Sequence, residues 1–444
     1  MSVRRGTPQR PKSRLYRGLV AFFVFLVTFY SLGHYFLTRQ IQENIRKRNL
    51  DVAMEKVELK QRFYPFAKSN WVERARVFRL TGDADGLQKS VDQGLRYGVD
   101  PVQLELENTL LLAQQGQLEL VEDRIVSLLA TSDSDTFEIC DAFVNGLLSA
   151  GRIGNAETVI SAWSKDSPKA ALPIYRLARL REYEQKIADA KRLYKQAIDL
   201  QPDFYPASYS YARLLLDENE PEEAAVYFQK CSGVAHPEAS LTGLAMSKVR
   251  LGETAKAKEL FEQLMKSEVA EFRRSYRLVF EPFERLVAAS EYGKLLVNDQ
   301  EFAKAIEVLD RALKFNARDV TSRYSKSIAL RSIGKTIEAD AEAKIVAETE
   351  TALREVNELR NAINRDNQDV ESMLKLADIL IKFESPRNGL FWLRNALSAD
   401  STNDKVHLAL SKYYVDHATE SQSYIGLSKR HALEAERLQK LRRK

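Results

Sequence analysis

Gly334-Lys335-Thr336 has the residue types that end a phosphate-binding loop. Such a loop also needs a Gly five residues before Gly334 and a strand leading into it, so that successive backbone N–H groups can wrap a phosphate. Position 329 is Ala329, inside a stretch of helical pattern, and the three residues read instead as a turn between helices. The five histidines are His34, His236, His407, His417 and His431. None forms His-x-x-x-His on a helical face and none has a cysteine at ligand spacing, so no zinc site is expected. His407 and His417 are too far apart along a helix to converge on one ion. The histidines read as surface or packing residues, His34 as an interfacial one. No Gly-x-Ser-x-Gly or Gly-x-Gly-x-x-Gly occurs, and the carboxylates are spread along helical faces as solvated charge. The expectation is no catalytic residue, no metal, no cofactor and no enzyme activity.

The elements that would position any site must come from a chain of 444 residues with 44% hydrophobic and 29% charged residues. That is too apolar for a disordered chain, and the sparse Gly (18) and Pro (12) favour helix over a turn-rich β architecture. The net charge of +5, from 67 basic and 62 acidic residues, is too mild to mark a nucleic-acid binder. Basic residues cluster only at the two ends; those at the C-terminus (Lys429, Arg430, Arg437, Lys440, Arg442, Arg443, Lys444) read as the outer face of a capping helix.

An internal period of about 34 residues organises the middle of the chain. Ala156 is followed by Ile160, Trp163 and Pro168; Ala190 by Tyr194, Ala197 and Pro202; Ala224 by Phe228, Cys231 and Pro237; Ala257 by Phe261 and Leu264; Ala305 by Leu309 and Ala312; Ala339 by Ala343 and Val346. Steps of four and seven put these side chains on one helical face, and small residues there let two antiparallel helices cross closely. Leu177-Ala178 and Tyr292-Gly293 supply a large-then-small pair on the preceding helices. The pattern resembles the tetratricopeptide repeat. The resemblance implies an all-α fold, a right-handed helical solenoid of about ten helix-turn-helix repeats running from near Asn70 to about Arg437. Cys140 and Cys231 would not meet in such a stack, where each repeat touches its neighbours, and read as small buried packing residues.

The same resemblance implies a groove lined by the first helix of each repeat. At the positions where some family members clamp a chaperone tail with Lys, Asn and Arg, this chain carries Tyr175 and Arg179, then Tyr209 and Arg213. The Lys and Asn are missing, so chaperone-tail binding of that kind is not expected. Tyr and Arg are enriched at protein-binding hot spots. Tyr175, Arg179, Tyr209 and Arg213, with Tyr183 and Tyr205 nearby, are therefore the expected partner-binding groove, and the partners are proteins or peptides.

Residues 18–38 form an apolar run without Asp, Glu, Lys or Arg, long enough as a helix (about 30 Å) to cross a bilayer. Tyr16, Tyr30, His34 and Tyr35 suit its interfacial zones. Arg4, Arg5, Arg10, Lys12, Arg14 and Arg17 precede it without an acid, and Arg39, Arg46, Lys47 and Arg48 follow, a bias that keeps the N-terminus in the cytoplasm. Ser31-Leu32-Gly33 resembles a signal-peptidase site, but the run continues through Tyr35, Phe36 and Leu37, which favours an uncleaved anchor.

The expected organisation is a basic cytoplasmic tail (1–17), a transmembrane helix (18–38), a juxtamembrane helix ended by Pro65 (39–67), a repeat array (68–270), an insert (271–285), further repeats (286–349), a charged helical spacer (350–369) and C-terminal repeats with a capping helix (370–444). The expected function is a scaffold anchored in the inner membrane, with a periplasmic array that binds proteins in the cell envelope. A cytosol-facing targeting adaptor and a regulatory subunit of an envelope enzyme remain open as alternatives.

Overall fold

The computed structural model describes residues 12–131, 135–233, 236–419 and 422–442, with side chains except at 12–19, 131 and 422. The side chains of the expected basic tail, Arg4 to Arg17, and of Arg443 and Lys444 lie outside the described set. Among the described residues the chain is all-helical, with 23 α-helices, one short 3₁₀ turn and no strand. The helices pack mainly on their neighbours in sequence, as in a solenoid. The chain divides into two compact units, Met1–Leu111 and Leu112–Lys444.

Unit 1 begins with the helix Lys12–Arg46, which from Val20 is long and apolar enough to cross a membrane and is exposed from Val20 to Leu32. Only its C-terminal end is buried: Ile41 and Ile45 pack with Leu50, Ala53 and Val57 of the helix Leu50–Phe63 and Val77 of the helix Ser69–Thr81. The expected single helix over 39–67 is two segments. The chain turns at Arg48, which adopts a left-handed φ of 58°, because Ile45 and Leu50 must both face the same core. The pairing of Ser69–Thr81 with Ala84–Arg96 depends on close approach: a Cβ on Gly86 would lie 2.4 Å from the Phe78 ring.

The apolar cores of unit 2 among the described residues include two large ones. One runs from Cys140 to Ala329 and contains Ala178, Ala190, Tyr194, Ala197, Ala224, Phe228, Ala257, Phe261, Ala305 and Ala312, all buried. Ala156 and Ala339 are also fully buried, Leu177 packs at the edge, and Pro202 is exposed at its turn. Gly293 lets the helix Val287–Asn298 sit against Leu309, 2.4 Å from where a Cβ would be. The second core gathers Leu376, Leu380, Leu393, Leu410 and Tyr414. A single 30-residue helix, Thr336–Arg365, links the two; Ala339 and Val346 are buried near its start and Val356 and Ile363 enter the second core. The charged stretch 350–365 is thus the second half of that helix.

Candidate protein-binding groove

The helices Ala171–Tyr183 and Tyr205–Asp217 carry the expected groove residues, and the structure separates them into two groups. Tyr175 and Tyr209 are core residues, not groove surface. Tyr175 has no exposed surface; its ring packs 5.6 Å from Tyr194 and 5.5 Å from Phe204. Tyr209 packs on Phe228 at 5.5 Å. A helix face that reads as groove in one dimension turns its Tyr into the seam between repeats, because that seam must be filled by large flat side chains. Tyr205 is half-buried against the same core.

Arg179, Arg213 and Tyr183 are the members that reach the surface. Arg179 and Arg213 are 27% and 29% exposed and share two carboxylates. The Arg179 Nη1 donates to Glu281 Oε1 at 2.9 Å, Arg213 donates to Glu182, and the Tyr194 hydroxyl donates to Glu182 Oε2 at 2.7 Å. Burial alone would raise the Glu182 carboxyl, but the charges of Arg179 and Arg213 hold it below its ordinary value. Both arginines stay charged: burial opposes the cation, and Glu281 and Glu182 outweigh it. Tyr183 is 46% exposed, its ring edge-on to Phe391 at 5.4 Å.

Glu281 comes from the insert. Residues expected to interrupt the array form the helix Val269–Leu278, started by a reciprocal capping box of Glu268 and Glu271, and then a turn that folds back over the array. Phe280, at φ 60°, packs on Tyr175 and Phe204, with the Arg176 guanidinium 5.0 Å from its ring centre. At this level the two arginines are already neutralised by carboxylates of the chain itself. The open remainder of the surface can take hydrogen bonds from Arg179 and Arg213 and ring stacking from Tyr183. Nothing in the sequence pointed to Glu281, which reaches Arg179 across 102 residues.

The histidines also find partners that sequence spacing did not pair. His407 and His431 are buried with their Nδ1 atoms 2.9 Å apart, and His431 Nε2 lies 3.3 Å from Glu119. The end of unit 2 thereby touches its beginning. Cys140 and Cys231 are free, buried thiols, pushed up to about 11 and about 12 by burial. Among the described residues no group of three or more metal-ligating side chains occurs.

Two family models, each described as tetratricopeptide repeat, match residues 183–232 and 239–268. Residues 183–232 and 239–268 are tetratricopeptide repeats. The matched stretches hold Tyr194, Ala197, Ala224, Phe228, Ala257 and Phe261, which all lie in the first core of unit 2. Solved structures to which this repeat protein is similar include PilF of Pseudomonas aeruginosa, at 18% identity over 46% of this chain and 86% of that one, with a TM-score of 0.39. The APC/C hetero-tetramer Cut9–Hcn1 is another, at 15% identity over 84% and 74% of the two chains, TM-score 0.42. YrrB, a TPR protein with an unusual peptide-binding site, is similar at 18% identity over 47% and 92%, TM-score 0.26. Among curated proteins none matches the sequence.

Proposed function

We propose that this tetratricopeptide-repeat protein is a non-enzymatic scaffold anchored in the inner membrane, which holds partner proteins or peptides on its array in the cell envelope. The observation that carries the reading is the joining, in one chain, of an uncovered apolar helix to a stack of helix pairs. A span fixes the array at the bilayer, and an array offers a long surface for extended or helical segments. The N-terminus is cytoplasmic and the array periplasmic, from the basic residues that precede the apolar run. Tyr183, Arg179 and Arg213 are the residues of the expected groove that a partner can reach; Tyr175 and Tyr209 hold the helices that present them.

Crosslinking and pull-down of the full-length protein from native membranes tests this. A reproducible set of envelope proteins, reduced by Tyr183→Ala, is the expected result. Recovery of cytosolic proteins alone overturns the topology, and recovery of nothing above background overturns the scaffold reading.

A further inference from the structure

Unit 1 carries a second apolar surface beside the uncovered helix. The turn between the helices Leu50–Phe63 and Ser69–Thr81 reads Arg62-Phe63-Tyr64-Pro65-Phe66-Ala67-Lys68. Phe63 is 62% exposed and Phe66 86%, while Tyr64 between them is buried. The two open rings become notable because they lie next to the exposed apolar face of the helix, so that the two together make one larger patch.

Tyr64 fixes where the turn sits. Its hydroxyl donates to the Tyr30 carbonyl at 3.0 Å, and its ring lies 4.5 Å from the Tyr30 ring and 5.2 Å from His34. Gly33 makes the approach possible: a Cβ there would be 2.4 Å from the Tyr64 hydroxyl. Tyr30 to His34 belong to the apolar run, and from Tyr30 to its end at Thr38 the helix rises about 12 Å. A bilayer placed on residues 18–38 therefore covers the level at which the Tyr64 side chain meets the helix, and the turn that carries Tyr64 lies beside the outer part of the span.

Tyr64, at the centre of the turn, has both backbone groups paired within the chain. Tyr64 N–H donates to the Lys60 carbonyl at 2.8 Å, and the Tyr64 carbonyl accepts from Ala67 N–H at 3.0 Å and Asn70 Nδ2 at 2.8 Å. Pro65 has no N–H to satisfy. Such pairing at Tyr64 suits a low-dielectric setting. Arg62 and Lys68, both exposed, flank the aromatics and suit the phosphates of anionic headgroups.

We propose that Phe63 and Phe66 insert into the same bilayer leaflet that the helix Lys12–Arg46 leaves, with Arg62 and Lys68 on anionic headgroups, so that unit 1 is held to the membrane at two points. Continuity with the uncovered face of the helix selects lipid over a protein as the occupant: Phe29, Leu32 and Phe36 are exposed on the helix at the level the turn reaches. The proposal rests on the reading of that helix as a membrane span. Two contacts fix the orientation of unit 1 against the bilayer, where a lone helix leaves it free to swing.

The test uses the full chain in vesicles of phosphatidylcholine and phosphatidylglycerol. Single variants Phe66→Cys, Phe25→Cys and Ile337→Cys carry an environment-sensitive fluorophore, and nitroxide lipids serve as quencher. Cys140 and Cys231 are buried, and the unsubstituted protein corrects for any label they take. The expected result is severalfold stronger quenching at positions 66 and 25 than at 337. Quenching at 25 without quenching at 66 overturns the second contact and leaves the span intact. Quenching at neither overturns the span, and the proposal with it.

Discussion

Unit 1 sets two buried ion pairs beside its apolar contacts; the first core of unit 2 closes mostly on alanine and aromatic rings. Lys60 Nζ donates to both oxygens of Glu73 at 2.7 and 2.9 Å, and Arg79 meets Glu107 at 2.6 Å, all four side chains having almost no exposed surface. The same spaces between helices in the array are filled mainly by Ala178, Ala190, Ala197 and Ala224 against Tyr175, Tyr194 and Phe228; one buried pair, Arg176 with Asp141 at 2.7 Å, lies among them, and pairs such as Arg192–Asp189 and Lys195–Asp199 stand on the surface. The two solutions differ in what they cost. A buried pair spends most of its attraction on desolvation, so it adds little net stability but penalises loss of one partner heavily. Small-on-flat packing gains apolar burial directly and is sensitive to volume instead.

The largest way to break this comparison is Glu107→Ala. It removes the buried carboxylate that Arg76 and Arg79 share in unit 1 and should cost about 3–5 kcal/mol, read by chemical denaturation. Replacing Arg76 and Arg79 by Met and Glu107 by Leu together should recover most of that loss; failure to recover would mean the cluster contributes more than its desolvation. Gly293→Ala attacks the other solution. Alanine is the better helix former by about 1 kcal/mol, so a net loss of about 1–3 kcal/mol would isolate the clash with Leu309. No loss would show that the two helices can part freely.

The smallest effect is expected at Glu119, where a partly exposed carboxylate meets a buried histidine. Burial would raise its pKa, but the His431 hydrogen bond and the charges of His431, Arg394 and Arg430 lower it below the ordinary carboxylate value. A carboxyl lowered in the fold stabilises it above the unfolded-state pKa, and that stability is lost as pH falls through the folded-state pKa. Thermal unfolding of wild type and Glu119→Gln should therefore differ at neutral pH and converge on acidification. Divergence on acidification would reverse the sign and remove the ionised Glu119 from the contact.

The regions that packed on alanine were the ones legible beforehand. Ala190, Tyr194 and Ala197 announce a repeat because their spacing matches a helical face, and the family models match in the same stretch. Lys60, Glu73, Arg79 and Glu107 carry no such signal. A charged residue on a helix reads as solvated until a partner from another helix is placed against it, and Arg79 and Glu107 are 28 residues apart. The groove shows the same limit. Tyr175 and Arg179 sit on neighbouring turns of one helix, yet one fills the seam and the other reaches the surface, a matter of angle that spacing resolves poorly.

By itself, then, the sequence determined the helical class, the repeat period with its small-residue contacts, and the presence of one apolar run fit for a membrane, since these follow from local periodicity and composition. Tertiary structure alone decided that Glu281 folds back onto Arg179, that His407 finds His431, and that Tyr64 seats the Phe63–Phe66 turn against the apolar helix. Each of these joins residues far apart in the chain, and such contacts depend on how successive helix pairs accumulate rotation, a sum over many packing angles that no single stretch of sequence contains.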